Sequence, residues 1–204
     1  MNTLKTGTTT LGLICNDGVV LAAEKKSTLG YMVDSKGARK IYKLDDHIAI
    51  TIAGSVGDAQ SLIRLLKAQF KLYKLERGPI TVKAAATLLS NILQGNKWLP
   101  YYNQLIVGGF DSEGAHLFSL DPVGGVSSTE NYYSTGSGSP FAYGVLESEF
   151  KENIDTKEGV KIALKALKSA IERDIASGGK GFTVAIITKE GYKELTDQEL
   201  KAYL

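Results

Sequence analysis

The sequence predicts a layered α+β fold in which antiparallel sheets are covered by pairs of helices. Three observations carry this prediction. Strand-like apolar runs come in adjacent pairs joined by short turns, helix-like stretches also come in adjacent pairs, and no repeat or linker divides the 204 residues. Antiparallel neighbours need only a tight turn, whereas parallel strands need a single crossover helix between them, so the grouping argues against a doubly wound parallel sheet. With 43% hydrophobic residues the chain can bury a sizeable core and reads as one domain.

In chain order, Leu11 to Cys15 and Val19 to Ala23 flank Asn16-Asp17-Gly18, and Asp-Gly between apolar runs is a strong hairpin signal. A second pair, Arg39 to Leu44 and His47 to Ala53, is joined at Asp45-Asp46. Both hairpins deliver polar residues, Glu24 and Lys40, to strand ends or nearby turns. From Asp58 to Lys74, Leu62, Ile63, Leu66 and Phe70 recur at helical spacing. Gly78-Pro79 breaks the chain, and Val82, Ala85, Ala86, Leu89, Ile92 and Leu93 form a second apolar stripe that ends near Gly95. Strands resume at Gln104 to Phe110 and Ala115 to Leu120 around the turn Asp111-Ser112-Glu113-Gly114. After Tyr133 the pattern turns helical. Asp155 and Glu158 predict a capping box for a helix with Val160, Ala163, Leu164, Leu167 and Ile171 on its apolar face. A strand, Phe182 to Thr188, and a short helix opened by Thr196 and Glu199 close the pattern. The Gly-Ser-rich run Ser134 to Pro140 is short and reads as a functional or capping turn, not a domain boundary.

Composition excludes several classes. No stretch approaches the roughly 18 consecutive apolar residues of a membrane span, and Met1 to Gly7 is too short and polar for a secretory signal, so a cytoplasmic location is expected. Cys15 is the single cysteine, and His47 and His116 lack ligand spacing, so neither a disulfide nor a structural metal is expected. Twenty-four basic against 22 acidic residues leave a net charge of +2 without a basic block, which offers nucleic acid no footprint.

The chemistry is concentrated near the start. Thr8, Thr9 and Thr10 directly follow Gly7. A threonine hydroxyl inside a chain is a poor nucleophile, but one at a new N-terminus has its own α-amine as a base. Cleavage between Gly7 and Thr8 would create such a pair. The competing reading is that three β-branched residues simply open a strand.

Six segments bear on that choice: Gly7-Thr8-Thr9-Thr10-Leu11-Gly12, Ala22-Ala23-Glu24-Lys25-Lys26, Arg39-Lys40-Ile41-Tyr42, Thr51 to Asp58, Ser134 to Pro140, and Arg173 to Gly179. In that order, and spanning nearly the whole chain, they resemble the β subunits of archaeal proteasomes. The resemblance implies an N-terminal nucleophile hydrolase: a four-layer α-β-β-α sandwich of two antiparallel sheets between helix layers. It further implies a propeptide, residues 1–7, that is removed autocatalytically, and a single catalytic domain over 8–204.

Peptide hydrolysis needs a nucleophile, a base and donors for an oxyanion. The resemblance makes Thr8 the nucleophile. Its freed α-amine, with a reference pKa of about 7.7 to 8.0, is the base. Lys40 matches the family's active-site lysine, whose charge favours deprotonation of the hydroxyl. Glu24 stands where the family places an acidic partner, more often aspartate, that holds the lysine charged and oriented. Gly54 matches the residue whose backbone N–H forms the oxyanion hole, with glycine sparing the substrate a Cβ clash. Ser137, Asp174 and Ser177 match the polar residues that orient amine and hydroxyl. The residues alone also read Gly54 to Gly57 as a strand-to-helix turn and Arg173 to Gly179 as a glycine-capped helix end. Gly7 is expected because the attack on its carbonyl forces an unusual backbone.

Ser27, Ala38, Tyr42, Ile52, Val56 and Gln60 match the family's first specificity pocket. None is charged, which implies broad chymotrypsin-like cleavage. The family's partners are proteasome α subunits, other β subunits in heptameric rings and an unfolding ATPase, with unfolded proteins as substrates; no cofactor is implied. Two alternatives remain: an unprocessed structural subunit that only contributes ring contacts, and an amidohydrolase of the same superfamily acting on small amides. The second is expected to carry polar residues where Ala38, Ile52 and Val56 stand.

Overall fold

The computed structural model describes residues 7–203; Met1 to Thr6, most of the expected propeptide, and Leu204 lie outside the described residues. The strands are β1 (Thr10–Cys15), β2 (Gly18–Glu24), β3 (Ser27–Leu29), β4 (Met32–Ser35), β5 (Ile41–Asp45), β6 (Ile48–Gly54), β7 (Asn103–Asp111), β8 (Gly114–Leu120), β9 (Val126–Thr129), β10 (Tyr132–Thr135), β11 (Phe182–Thr188) and β12 (Gly191–Glu194). One five-stranded sheet runs β10-β1-β2-β11-β12 and a second runs β5-β6-β7-β8-β9. Every pairing within them is antiparallel.

The predicted Asp-Gly hairpin forms with Cys15 opposite Gly18, so Asn16 and Asp17 make the turn and Gly18 opens β2. Asp17 then accepts hydrogen bonds from the Thr156 N–H and hydroxyl, which ties the hairpin to the start of a helix in the layer above.

Helices α1 (Val56–Arg77) and α2 (Val82–Gly95) cover the second sheet, and α3 (Ser139–Glu149) and α4 (Thr156–Arg173) cover the first. Leu62, Leu66, Phe70, Leu89 and Leu93 pack on Ile50, Leu105 and Phe118. Leu146, Val160, Ala163 and Leu167 pack on Leu11, Leu13, Val20 and Val184. A third core joins the sheets to each other, with Val19, Leu21 and Ala23 of β2 against Ile41, Ala49, Ile106 and Leu117. The alternation of side chains along a strand explains β2: Val20 and Ala22 face the helices while Val19, Leu21 and Ala23 face the other sheet, so every position is apolar until Glu24. The result is the expected α-β-β-α sandwich.

Local signals set the helix starts. Ser55 accepts from the Asp58 N–H and begins α1 two residues before Asp58. Asp155 caps α4 through the Glu158 N–H, but the Glu158 carboxylate pairs with Lys161. Thr196 and Glu199 form the complete capping box, on α5 (Asp197–Lys201). Among the described residues, no helix is long and apolar enough to cross a membrane.

Candidate active site

The two sheets and the turns at one end of the sandwich converge on Thr8. It stands two residues before β1 and is 6% exposed. Glu24 ends β2, Lys40 immediately precedes β5, and Gly54 ends β6, so three strands bring their termini to Thr8. Ser137 comes from the turn between β10 and α3, while Asp174 caps the C-terminus of α4 and Ser177 follows it in the loop to β11.

The inner half of the site is an ion pair. The Lys40 ammonium donates to Thr8 Oγ1 at 2.8 Å, to the Lys26 carbonyl at 2.5 Å, and to Glu24 Oε1. An ammonium has three protons, and all three are used. Glu24 is fully buried and its carboxylate takes four donors. Oε1 accepts from Lys40 and from the Thr9 N–H at 3.1 Å; Oε2 accepts from Lys26 N–H at 2.7 Å and Gly178 N–H at 2.9 Å. Thus the carboxylate ties β1, the β2–β3 connection and the loop after α4 to the lysine. Burial pulls the Lys40 pKa below its ordinary value, Glu24 and the more distant Asp174 oppose that shift, and Lys26 adds to it.

The outer half is a chain of hydroxyls around one carboxylate. Asp174 Oδ2 accepts from Ser137 Oγ and from Ser177 Oγ, each at 2.6 Å. Each serine has one proton and spends it on Asp174, so each serine oxygen is left to accept. Ser137 Oγ accordingly accepts the Thr8 N–H at 3.1 Å. Ser177 Oγ lies 2.6 Å from Thr9 Oγ1 and accepts its proton. Thr9 therefore links the halves, its N–H on Glu24 and its hydroxyl on Ser177.

Two glycines fit the backbone around this centre. Gly136 has φ +94°, and a Cβ there would fall 2.1 Å from the Thr8 carbonyl oxygen. Gly54 has φ +146°, and a Cβ there would meet the Tyr102 carbonyl at 2.0 Å and Asn103 Oδ1 at 2.8 Å. Glycine at 54 is thus required by its own conformation and by the neighbouring start of β7, a requirement separate from the substrate clearance that the sequence suggested.

A cavity of about 310 Å³ opens beside Thr8. Ser27, Ala38, Tyr42, Ile52 and Val56 line it, as do Gly54 and Ala59. Gln60 does not. Each helical residue turns by about 100°, and Ala59 takes the buried position on α1 while Gln60 faces solvent. Charge is also present, since Asp34 and Arg39, both exposed, share the wall. Asp34 accepts from the Ser27 hydroxyl at 3.1 Å.

The sequence that builds this arrangement is matched by a family model. The proteasome subunit family covers residues 4–187. The chain belongs to that family. Among its relatives, a proteasome subunit beta of Methanocaldococcus fervens is 56% identical over 200 residues, 97% of this chain and 89% of that protein. One of Methanocaldococcus vulcanius is 54% identical over 206 residues, 100% and 92%. One of Methanococcus maripaludis is 52% identical, over 97% and 91%. As an archaeal proteasome subunit of the β type, the chain assembles with other subunits, and its sandwich is that of the N-terminal nucleophile hydrolases. The proteasome core is a threonine protease, which fits the hydroxyl at the centre of this site.

Sequence reasoning assembled Thr8, Glu24, Lys40, Gly54, Ser137, Asp174 and Ser177, and the fold brings all seven together. It missed Thr9, although the threonine run offered the signal: adjacent residues in extended chain point to opposite sides, so Thr9 serves different partners from Thr8. It also missed the Lys26 carbonyl, a main-chain acceptor that no side-chain pattern reveals.

Proposed function

We propose that this chain is a catalytic subunit of the proteasome β ring, a threonine-type endopeptidase whose nucleophile is Thr8 after removal of residues 1–7. The single observation that carries this reading is the 2.8 Å hydrogen bond from the Lys40 ammonium to Thr8 Oγ1, made while Ser137 fixes the Thr8 nitrogen. A positive charge on that oxygen favours its deprotonated form.

Self-cleavage comes first. Thr8 Oγ1 attacks the Gly7 carbonyl carbon, the hydroxyl proton passes to the departing Thr8 nitrogen, and the C–N bond breaks to leave an ester on Oγ1. Water hydrolyses that ester, which yields the Gly7 carboxylate and a free Thr8 amine. In peptide hydrolysis the amine then takes the hydroxyl proton, Oγ1 attacks the scissile carbonyl, and the proton goes on to the leaving amine; water resolves the acyl-enzyme. Ser137 accepts one amine proton, which leaves the nitrogen lone pair for Oγ1. Gly54, on the same cavity wall as Thr8, offers its N–H to the developing oxyanion.

Ile52, Val56, Ala38 and Ala59 give the cavity an apolar wall, which supports cleavage after hydrophobic residues and disfavours a small-amide hydrolase. The partners proposed are α-type subunits, other β subunits in a heptameric ring, an unfolding ATPase and unfolded proteins, in the cytoplasm.

The test is the intact mass of the chain assembled with its α-type partner, beside Thr8→Ala. Loss of residues 1–7 from the wild type alone, with peptide hydrolysis, is the expected result. Retention of Met1 to Gly7 in assembled particles would leave a structural ring subunit instead.

A further inference from the structure

Gly7 sits in a slot with two fixed walls. On one side its N–H donates to the buried Thr28 hydroxyl of β3 at 3.3 Å. On the other lies Ala176, in the loop between α4 and β11. A Cβ built on Gly7 would stand 1.7 Å from the Ala176 Cβ, far inside any contact that real methyl groups make, and 2.9 Å from the Ala176 Cα. The tightest contact is therefore methyl against methyl, with the Ala176 Cα and its carbonyl carbon, at 3.2 Å, behind it.

The Ala176 wall is not free to retreat. The Ala176 N–H donates to Asp174 Oδ1 at 3.2 Å, and the other oxygen of that carboxylate holds Ser137 and Ser177. One residue further on from Ser177, the Gly178 N–H is held by Glu24. The loop that carries Ala176 is thus pinned by the same groups that build the site, and moving it would disturb them all.

We propose that Ala176 is a positioning residue for self-cleavage: its methyl group, on a backbone N–H held by Asp174, closes the slot that admits only glycine before Thr8 and so fixes the carbonyl that Thr8 attacks. This rests on the proposed self-cleavage. It assigns the requirement for glycine to a steric partner across the site, where the sequence alone suggested backbone conformation.

The two explanations separate in an allele-specific rescue. Full-length chains carrying Gly7→Ala, Ala176→Gly, or both are assembled with the α-type partner, and the rate at which residues 1–7 are lost is followed by intact mass. Assembly is checked on native gels. Gly7→Ala is expected to slow processing sharply. Adding Ala176→Gly should restore about tenfold or more of that rate, the scale of relieving one excess methyl group. The rescue is incomplete because the 2.9 Å approach to the Ala176 Cα remains. Gly7→Ser with and without Ala176→Gly provides a second pair if the alanine variant assembles poorly. A double variant as slow as Gly7→Ala, in a wild type that does process, would overturn the proposal and return the requirement to the glycine backbone. Gly7→Ala processing at the wild-type rate would overturn it too, since the slot would then yield. A wild type that keeps residues 1–7 removes the self-cleavage reading itself, and this proposal with it.

Discussion

The two halves of the site solve the same problem, orienting a threonine, in opposite environments. Lys40 and Glu24 are sealed where strand ends meet, 6% and 0% exposed, and the pair is ionic. Ser137 and Asp174 sit at the rim on a turn and a helix end, where water reaches them, while Ser177 lies buried beneath. A buried charge cannot fall back on solvent, so the inner half must keep all its partners or lose its geometry. At the rim, Ser137 and Asp174 can exchange a protein partner for water. The inner pair should therefore govern both folding and chemistry, and the outer chain chemistry alone.

The largest effect should follow from breaking the inner pair. Lys40→Ala removes the charge beside Thr8 Oγ1 and is expected to lower peptide hydrolysis by about 10²–10⁴-fold. It also strands Glu24, at a cost of about 3–5 kcal/mol in stability. Hydrolysis assays and urea denaturation measure the two losses. The wild-type pH profile sharpens the point. Because burial lowers the Lys40 pKa, the ammonium is lost on the alkaline side before its ordinary 10.5. Activity that needs the charged form should fall through that lowered value, and Glu24→Gln should move the fall to still lower pH. The folded protein also binds fewer protons than the unfolded chain between the lowered pKa and 10.5, so this group makes stability rise with pH in that window. An alkaline limb unmoved by Glu24→Gln would break the link between the pair and Thr8.

A smaller effect is expected at the rim. Asp174→Asn keeps the shape but removes the charged acceptor of Ser137 and Ser177, which should cost about tenfold in kcat while stability stays within about 1 kcal/mol of wild type. If it destabilises the protein as much as Lys40→Ala does, the contrast between the halves is wrong.

The smallest concerns the cavity wall, outside both halves. Gln60→Ala should leave cleavage preference unchanged and stability within about 0.5 kcal/mol. Ala59→Leu should narrow the cavity and reduce kcat/KM for peptides with large apolar residues before the cleaved bond by about tenfold. A preference that responds to Gln60 instead would put the helix face back where the sequence had it.

The sandwich was legible because its central strands and helices repeat apolar residues at periods of 2 and 3.6. The strands β3, β4, β9 and β12 were not. They are short, and β3–β4 leaves Leu29, Tyr31, Met32 and Val33 exposed, so no buried face imposes an alternation that a reader could find. The site residues were legible as motifs, but their distances were not. Thr8 and Asp174 are 166 positions apart in sequence, and only the closing of β1 against β10, with α4 packed above, makes them neighbours. Gln60 was misplaced because one residue along a helix is a turn of about 100°, finer than a motif match resolves.

Thr10 carries a consequence for how the sandwich behaves as a mechanical object. Its hydroxyl lies 2.7 Å from Thr135 Oγ1 on the neighbouring strand and 2.8 Å from Thr51 Oγ1 on the opposite sheet. Apolar faces resist separation but tolerate sliding, because dispersion contacts are not directional, whereas a hydrogen bond fails within a fraction of an ångström. The hydroxyl acts as a dowel between two plates. Thr8 lies two residues before Thr10 on one plate and Gly54 three residues after Thr51 on the other, so the pin sets the gap between Thr8 and Gly54 against shear.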